Sequence, residues 1–141
     1  MVVALAGCGS ERVHAAPPTA RASARPTRAS GAGCSDEDLA RRPRQVLRGL
    51  ASYYADSLAG NPTASGAPYD PGRFSAAHRT LPFGTRLRIT RTDAKGPPVC
   101  VTVNDRGPFS GRRRIVDLSR RAAERLDMIA EGVVPVRVDV F

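Results

Sequence analysis

The stretch VCVTVNDRGPF, residues 99–109, decides the fold. Valines at positions 99, 101 and 103 alternate with Cys100, Thr102 and Asn104, the period of a half-buried β-strand. Asp105 ends this strand, and Gly107-Pro108 then predicts a turn. The sequence therefore predicts a valine-rich strand whose last side chain, an aspartate, lies at the rim of a sheet.

Similar alternation recurs on both sides of this stretch. Residues 87–91 alternate apolar and polar side chains, as do residues 134–140 with valine at every even position, and residues 51–55 also indicate a strand. Ser119 is placed to cap a helix, because Leu118, Ala122 and Leu126 recur every four residues. Short strands, long loops and one helix within residues 49–141 predict a small closed barrel.

The region before the barrel divides into three parts. Residues 1–8 are apolar and end in Leu5-Ala6-Gly7-Cys8, which predicts a truncated lipoprotein signal with a lipobox at Cys8; the alternative is a chance match, since no basic segment precedes it. Residues 9–33 contain Val13 as their only large aliphatic side chain, which predicts a disordered linker. Residues 34–48 predict a short helix and lead-in, capped by Ser35 and ended by Pro43.

Composition limits the partners. The 141 residues carry a formal net charge of +9, so the protein is attracted to polyanions, whether nucleic acid, membrane surface or acidic wall polymer.

The three cysteines, with His14 and His78 far apart, lack the spacing of a metal site. We predict that Cys8 is lipidated and that Cys34 and Cys100 form a disulfide; the alternative is two unrelated thiols.

Four ordered segments carry a family resemblance: GLASYY at 49–54, TASG with Tyr69-Asp70 at 63–70, AAHRTLPFGT at 76–85 and NDRGPF at 104–109. Together with Asp117-Leu118-Ser119 and Ala122-Ala123, they closely resemble the rare lipoprotein A family across residues 49–141. This resemblance implies a six-stranded double-psi β-barrel, mainly β with one or two short helices, behind a disordered tail. It also implies a lipid-anchored protein of the cell envelope that faces the periplasm or wall, and members often carry a C-terminal glycan-binding repeat that we expect to be missing here.

The resemblance also implies an activity. Active members are lytic transglycosylases that cut peptide-stripped glycan between N-acetylmuramic acid and N-acetylglucosamine and leave a 1,6-anhydro end. One carboxyl group can protonate the glycosidic oxygen and then accept the proton of the sugar's own 6-hydroxyl, and Asp105 is the candidate; its alternative role is to cap the turn. His78 is the second candidate, with a purely structural role as its alternative.

Further residues are expected to bind the glycan. Tyr residues can stack on sugar rings and Arg residues can pair with muramyl carboxylates, although both are also common structural residues. The family pattern usually has Glu where this chain has Ala67, which weakens the case for catalysis. The candidate binding residues are Tyr54, Tyr69, Asp70, Arg79 and Arg106.

The leading function is therefore a peptidoglycan lytic transglycosylase that uses no cofactor and no metal. The runner-up is a non-catalytic, expansin-like module that binds wall glycan. A nucleic-acid binder is disfavoured, because the arginines are not interleaved with aromatic residues and no recognition helix or zinc site is indicated. The expected partners are glycan strands and, through the anchor, a membrane, and we expect a monomer.

Overall fold

The computed structural model describes residues 33–141, which form a closed six-stranded barrel with two short helices. Around the barrel the strands follow the order β1-β5-β2-β4-β3-β6, and β6 returns to pair with β1. This confirms the predicted barrel. The elements in chain order are α1 (Asp36–Ala40), β1 (Gln45–Tyr53), a 3₁₀ helix (Asp56–Leu58), β2 (Ser75–Ala77), β3 (Arg86–Arg91), β4 (Val99–Asp105), β5 (Arg114–Leu118), α2 (Arg120–Arg125) and β6 (Val134–Val140).

Two parallel pairings distinguish this barrel from a simple meander. Strand β1 pairs in parallel with β5, and β2 pairs in parallel with β4, whereas the other four pairings are antiparallel. The parallel pairings join strands that are distant in sequence. The parallel pairing of β2 with β4 and the antiparallel pairing of β2 with β5 together bring the C-terminal ends of β4 and β5 to the two sides of the short strand β2.

The interior is filled by the alternating apolar side chains that the sequence predicts. Val99, Val101 and Val103 of β4 are fully buried, and every second residue of β6 from Val134 to Val140 packs against them. Helix α2 adds Ala122 and Ala123 to the same core, and its N-cap Ser119 accepts a hydrogen bond from the backbone N–H of Ala122. Because these apolar side chains fill the interior of the barrel, polar side chains can occupy the ends of the strands.

The strand assignments differ from the predictions in three places. Strand β1 begins at Gln45, inside the predicted lead-in of residues 34–48, and ends at Tyr53 instead of Ala55. Its first half lacks the alternation of buried and exposed apolar residues that identifies a strand in the sequence. Val46 is exposed to solvent, and backbone pairing with β6 holds this segment in the sheet. Strands β2 and β5 were not predicted, since neither has more than five residues.

The N-terminal segment is fastened to the outside of the barrel. Ser35 and Asp38 form a capping box at the start of α1, as predicted, and the helix ends before Pro43. Cys34 is joined to the fully buried Cys100 by a disulfide with a Cα–Cα distance of 4.7 Å. Arg86 also donates to the carboxylate of Asp38 at 2.8 Å. The segment is therefore attached covalently and by an ion pair.

Residues 33–141 include no helix that is long and apolar enough to span a membrane. The predicted signal at 1–8, its Cys8, and almost all of the predicted linker at 9–33 lie outside the described residues.

Candidate active site

Asp105 lies at the end of β4, at the rim of the barrel, with its carboxylate held by three donors. The hydroxyl of Tyr54 donates to Oδ2 at 2.6 Å, and the backbone N–H groups of Ala64 and Arg106 each donate to Oδ1 at 2.8 Å. These donors come from the residue after β1, the loop that follows it and the residue after β4. The half-buried carboxylate is therefore fixed in position by three separate parts of the chain, as a precisely placed catalytic group requires.

A second carboxylate lies on the other side of β2. Ala77 is the register partner of Asp105 in β4 and also of Asp117 in β5. A register shift between Ala76 and Ala77 places Asp105, and not Asn104, opposite Ala77. Neighbouring strands are about 4.8 Å apart, so the two aspartates lie two strand spacings, roughly 10 Å, apart along the rim.

Asp117 was quoted in the sequence only as part of a motif and was not predicted to be a site residue. Its Oδ1 accepts a hydrogen bond from the hydroxyl of Ser52, a buried side chain of β1. No hydrogen bond to its Oδ2 is formed by any side chain or amide of residues 33–141. The sequence feature that could have identified Asp117 is its place directly after the apolar Val116, near the end of a short strand.

Tyr54 links the two carboxylates electrostatically. Burial raises the pKa of the Tyr54 hydroxyl far above its ordinary range, and the hydrogen bond to Asp105 and the negative charges of Asp105 and Asp117 raise it further. The hydroxyl therefore remains protonated and acts as a donor at neutral pH. Its ring packs against Tyr69 with centroids 4.6 Å apart.

Tyr69 is buried and serves the packing of this region. Its side chain is only 5% exposed, and its hydroxyl accepts a hydrogen bond from the backbone N–H of Arg120 at 3.0 Å. Burial raises the pKa of this hydroxyl as well. These contacts favour support of Tyr54 over stacking on a sugar, and a direct contact of Tyr69 with glycan stays a prediction.

His78 follows β2 directly, and its backbone N–H donates to the carbonyl of Asp105 at 3.2 Å. Its imidazole is buried, and Nδ1 accepts from the backbone N–H groups of Thr80 and Leu81, each at 3.1 Å. Burial lowers the pKa of His78, and the charges of Arg79 and Arg106 lower it further. The ring is therefore neutral near pH 7, with its proton on Nε2, and no hydrogen bond joins it to the Asp105 carboxylate. Its catalytic role stays a prediction.

The two arginines of the predicted site have different surroundings. Arg79 donates to three backbone carbonyls, those of Pro108, Gly111 and Arg114, at 2.6 to 3.0 Å. It therefore shapes the loop after β4. Arg106 donates to the carbonyls of His78 and Leu81 and lies over the ring of Phe83, 4.1 Å from its centroid. Contact of either guanidinium with glycan stays a prediction.

Asp70 and Ala67 lie on a neighbouring groove. Asp70 accepts a hydrogen bond from the backbone N–H of Gly72 at 2.8 Å and pairs with Arg73 at 3.5 Å, so it orders its own loop. Ala67, at the position where the resemblance implies Glu, lines the groove. The groove lining is Ala67, Pro68, Asp70, Arg73, Ser75 and Asn104.

The arrangement offers acid–base chemistry by carboxyl groups. Within residues 33–141, no group of three or more His, Cys, Asp or Glu side chains is placed to hold a metal ion. The rim instead combines two aspartates, whose backbones lie two strand spacings or roughly 10 Å apart, with a protonated phenol.

Two solved structures share the fold. The Streptomyces papain inhibitor matches with a TM-score of 0.55 and 25% identity, over 70% of this chain and 96% of its own. The apo expansin of Clavibacter michiganensis matches with a TM-score of 0.54 and 22% identity, over 69% of this chain and 50% of its own. The expansin likeness concerns the fold alone, and the double-psi β-barrel predicted from the resemblance is confirmed.

Sequence comparison reaches the same family. The probable endolytic peptidoglycan transglycosylase RlpA of Nostoc sp. is 51% identical over 100 residues, which are 70% of this chain and 26% of that protein. This chain spans between 26% and 34% of the length of the first three curated relatives it matches. The resemblance to the rare lipoprotein A family is thereby confirmed. A family model described as lytic transglycolase matches residues 46–138, and the chain therefore belongs to the lytic transglycolase family.

Proposed function

We propose that this barrel is a peptidoglycan lytic transglycosylase that cleaves peptide-stripped glycan strands. The observation that carries the proposal is the placement of Asp105 and Asp117 on the two sides of Ala77 at one rim. Membership of the lytic transglycolase family and the names of the relatives support the same chemistry. The runner-up, a module that binds glycan without cleaving it, has the fold likeness to an expansin in its favour.

In the proposed reaction Asp105 acts first as acid and then as base. Its protonated carboxyl donates a proton to the oxygen that joins C1 of N-acetylmuramic acid to N-acetylglucosamine, and the C1–O bond breaks. The resulting carboxylate then takes the proton of the 6-hydroxyl, whose oxygen forms the new bond to C1. The second step returns Asp105 to its protonated form, and water is not consumed.

The surroundings of Asp105 hold it in one position for both steps. Tyr54 and two backbone N–H groups fix the carboxylate, so it can approach both oxygens without reorienting. Asp117 supplies a second negative charge at the rim. A carboxylate there stabilises the positive charge that develops on the sugar ring as the C1–O bond breaks.

Three variants test the proposal with peptide-stripped glycan strands as substrate. Wild type is expected to release products with 1,6-anhydro ends, detected by mass spectrometry, and Asp105→Asn is expected to lower the rate by about 10²–10⁴-fold, the usual contribution of an acid–base group. Asp117→Asn is expected to slow the reaction with folding intact. Asp127→Asn is the matched control, because Asp127 is exposed and its backbone has φ +57, which asparagine adopts readily.

The outcomes separate enzyme from binding module. Equal traces of anhydro product from wild type and Asp105→Asn would show that the enzyme proposal is wrong. Retention on insoluble peptidoglycan without products would instead support the binding module. Urea denaturation of each variant establishes that a lost activity is not a lost fold.

We also infer that the protein acts in the cell envelope, where its proposed substrate lies. Anchoring through a lipid on Cys8 rests on the sequence of residues 5–8 alone. Incorporation of a labelled fatty acid in cells, lost in Cys8→Ala, tests this anchor. Sedimentation of the purified chain tests the proposed monomer.

A further inference from the structure

Phe109 is the most exposed of the large apolar side chains in the described part of the chain, at 81% exposure. The other three phenylalanines each lie beneath an arginine. Phe74, Phe83 and Phe141 have a guanidinium carbon 4.1 to 5.4 Å from the ring centroid. Among the four phenylalanines, all within residues 33–141, only Phe109 has neither a cation nor a second aromatic ring against its own ring.

This ring lies beside the rim that carries the two carboxylates. A Cβ placed on Gly107 would lie 3.7 Å from Cε2 of Phe109 and 3.9 Å from Oδ2 of Asp117. The aromatic edge and the carboxylate oxygen therefore border one gap above Gly107. Gly107 has φ +133, a conformation that only glycine adopts without strain, so the gap is kept free of a side chain.

A ligand that contacts both the Phe109 ring and the Asp117 oxygen needs two unlike surfaces. Removing an aromatic ring from water is favourable, so an unpartnered ring favours contact with an apolar surface. The neighbouring Oδ2 of Asp117, which has no hydrogen-bond donor among residues 33–141, favours a hydroxyl or amide donor at the border of that surface. A pyranose ring has both, a face of C–H groups and a circumference of hydroxyl groups.

We propose that Phe109 is a stacking platform for one sugar ring of the glycan strand, with the edge of that sugar over Oδ2 of Asp117. This inference deepens the proposed function and rests on it for the identity of the ligand. Phe109, which follows β4, has a positioning role, whereas Asp105 at the end of β4 carries out the proposed acid–base chemistry. Substituents on the stacked face of the sugar would prevent contact, so the site selects rings with one open face.

The absence of tryptophan from the chain makes a direct test available. Phe109→Trp introduces a single indole at the platform, and it is studied in the Asp105→Asn background to prevent turnover. Addition of soluble peptide-stripped glycan strands is expected to shift the tryptophan emission to shorter wavelength, as the ring leaves water. Leu39→Trp is the matched control, because Leu39 is exposed on α1, beside β3 and β6, and its emission should not change.

Affinity provides the second readout. In calorimetric titrations with the same strands, Phe109→Ala is expected to weaken binding at least 10-fold and Phe109→Trp to retain it, whereas Leu39→Ala should bind like the parent. Equal affinity of Phe109→Ala and the parent, or an unchanged emission of Phe109→Trp at saturating glycan, would overturn the platform. Cleavage by wild type is scored separately. If wild type forms no anhydro product but both platform readouts hold, the enzyme proposal fails and the platform stands.

Discussion

Loss of the Cys34–Cys100 disulfide is expected to destabilise the domain through its unfolded state. The bond closes a loop across a sequence separation of 66 residues. In the chain-entropy description such a crosslink removes roughly 14–15 cal/mol/K from the unfolded chain, or about 4 kcal/mol at 25 °C. Because measured values usually fall below this ceiling, we expect Cys34→Ala to lower the free energy of unfolding by about 2–4 kcal/mol.

The folded state should change little. Arg86 keeps its ion pair with Asp38, and Arg88 donates to the carbonyl of Leu39 at 2.9 Å, so α1 stays docked without the crosslink. The thiol left at Cys100 remains fully buried, where cysteine behaves as a small apolar side chain. The cost therefore comes mainly from the greater freedom of the unfolded chain.

Urea denaturation measures this cost. The experiment uses the Cys8→Ala background for both proteins, so that no third thiol can pair with Cys100. Alongside a lower midpoint, we expect a steeper dependence of the free energy on urea, because an unfolded chain without the crosslink exposes more surface. A difference below about 0.5 kcal/mol, far under the usual contribution of a disulfide, would refute this reasoning.

Three further predictions concern single residues. Burial lowers the pKa of His78 below its ordinary 6.5, so the unfolded chain binds the proton more readily than the folded chain does. The free energy of unfolding should therefore fall as the pH drops below about 6.5. Urea denaturation between pH 5 and 7 should show a smaller loss in His78→Asn. Ala67→Glu should raise the rate of anhydro-product formation several-fold, because two neighbouring carboxyls disfavour a double charge and keep one protonated, whereas Ala67→Gln should not. Gly49→Ala should lower the free energy of unfolding by about 1–3 kcal/mol, since the new Cβ would lie 2.8 Å from Cγ2 of Ile115; an unchanged urea midpoint would contradict the packing described for β1 and β5.

The parts of the fold with strong local periodicity could be predicted from the sequence. The valine strands β4 and β6, the capping box at Ser35 and the helix after Ser119 each have a signal within a few residues. Strand β2 has three residues, all buried, and no alternation that differs from a loop. Residues 75–77 form a strand because β4 and β5 pair with them on both sides. These pairing partners are distant in sequence, so no local pattern predicts the strand.

The same division holds at the site. The position of Asp105 at a strand end could be predicted, because the valine alternation before it is recognisable, whereas its catalytic role stays a prediction. Its relation to Asp117 depends on the register shift between Ala76 and Ala77, and no local pattern encodes a register. The burial of Tyr69 and the three carbonyl contacts of Arg79 are likewise products of packing.

Strand β6 also has a consequence for how the domain reaches its folded state. It is the last of the six barrel strands in sequence order, and it pairs with β1 on one side and β3 on the other. Until it is in place, both of those strands present open edges that invite intermolecular pairing. A chain that emerges from its N-terminus, from a ribosome or through a membrane channel, therefore cannot complete the barrel until residues 134–140 are free. The interval before these residues emerge is when the open edges of β1 and β3 are most exposed to aggregation.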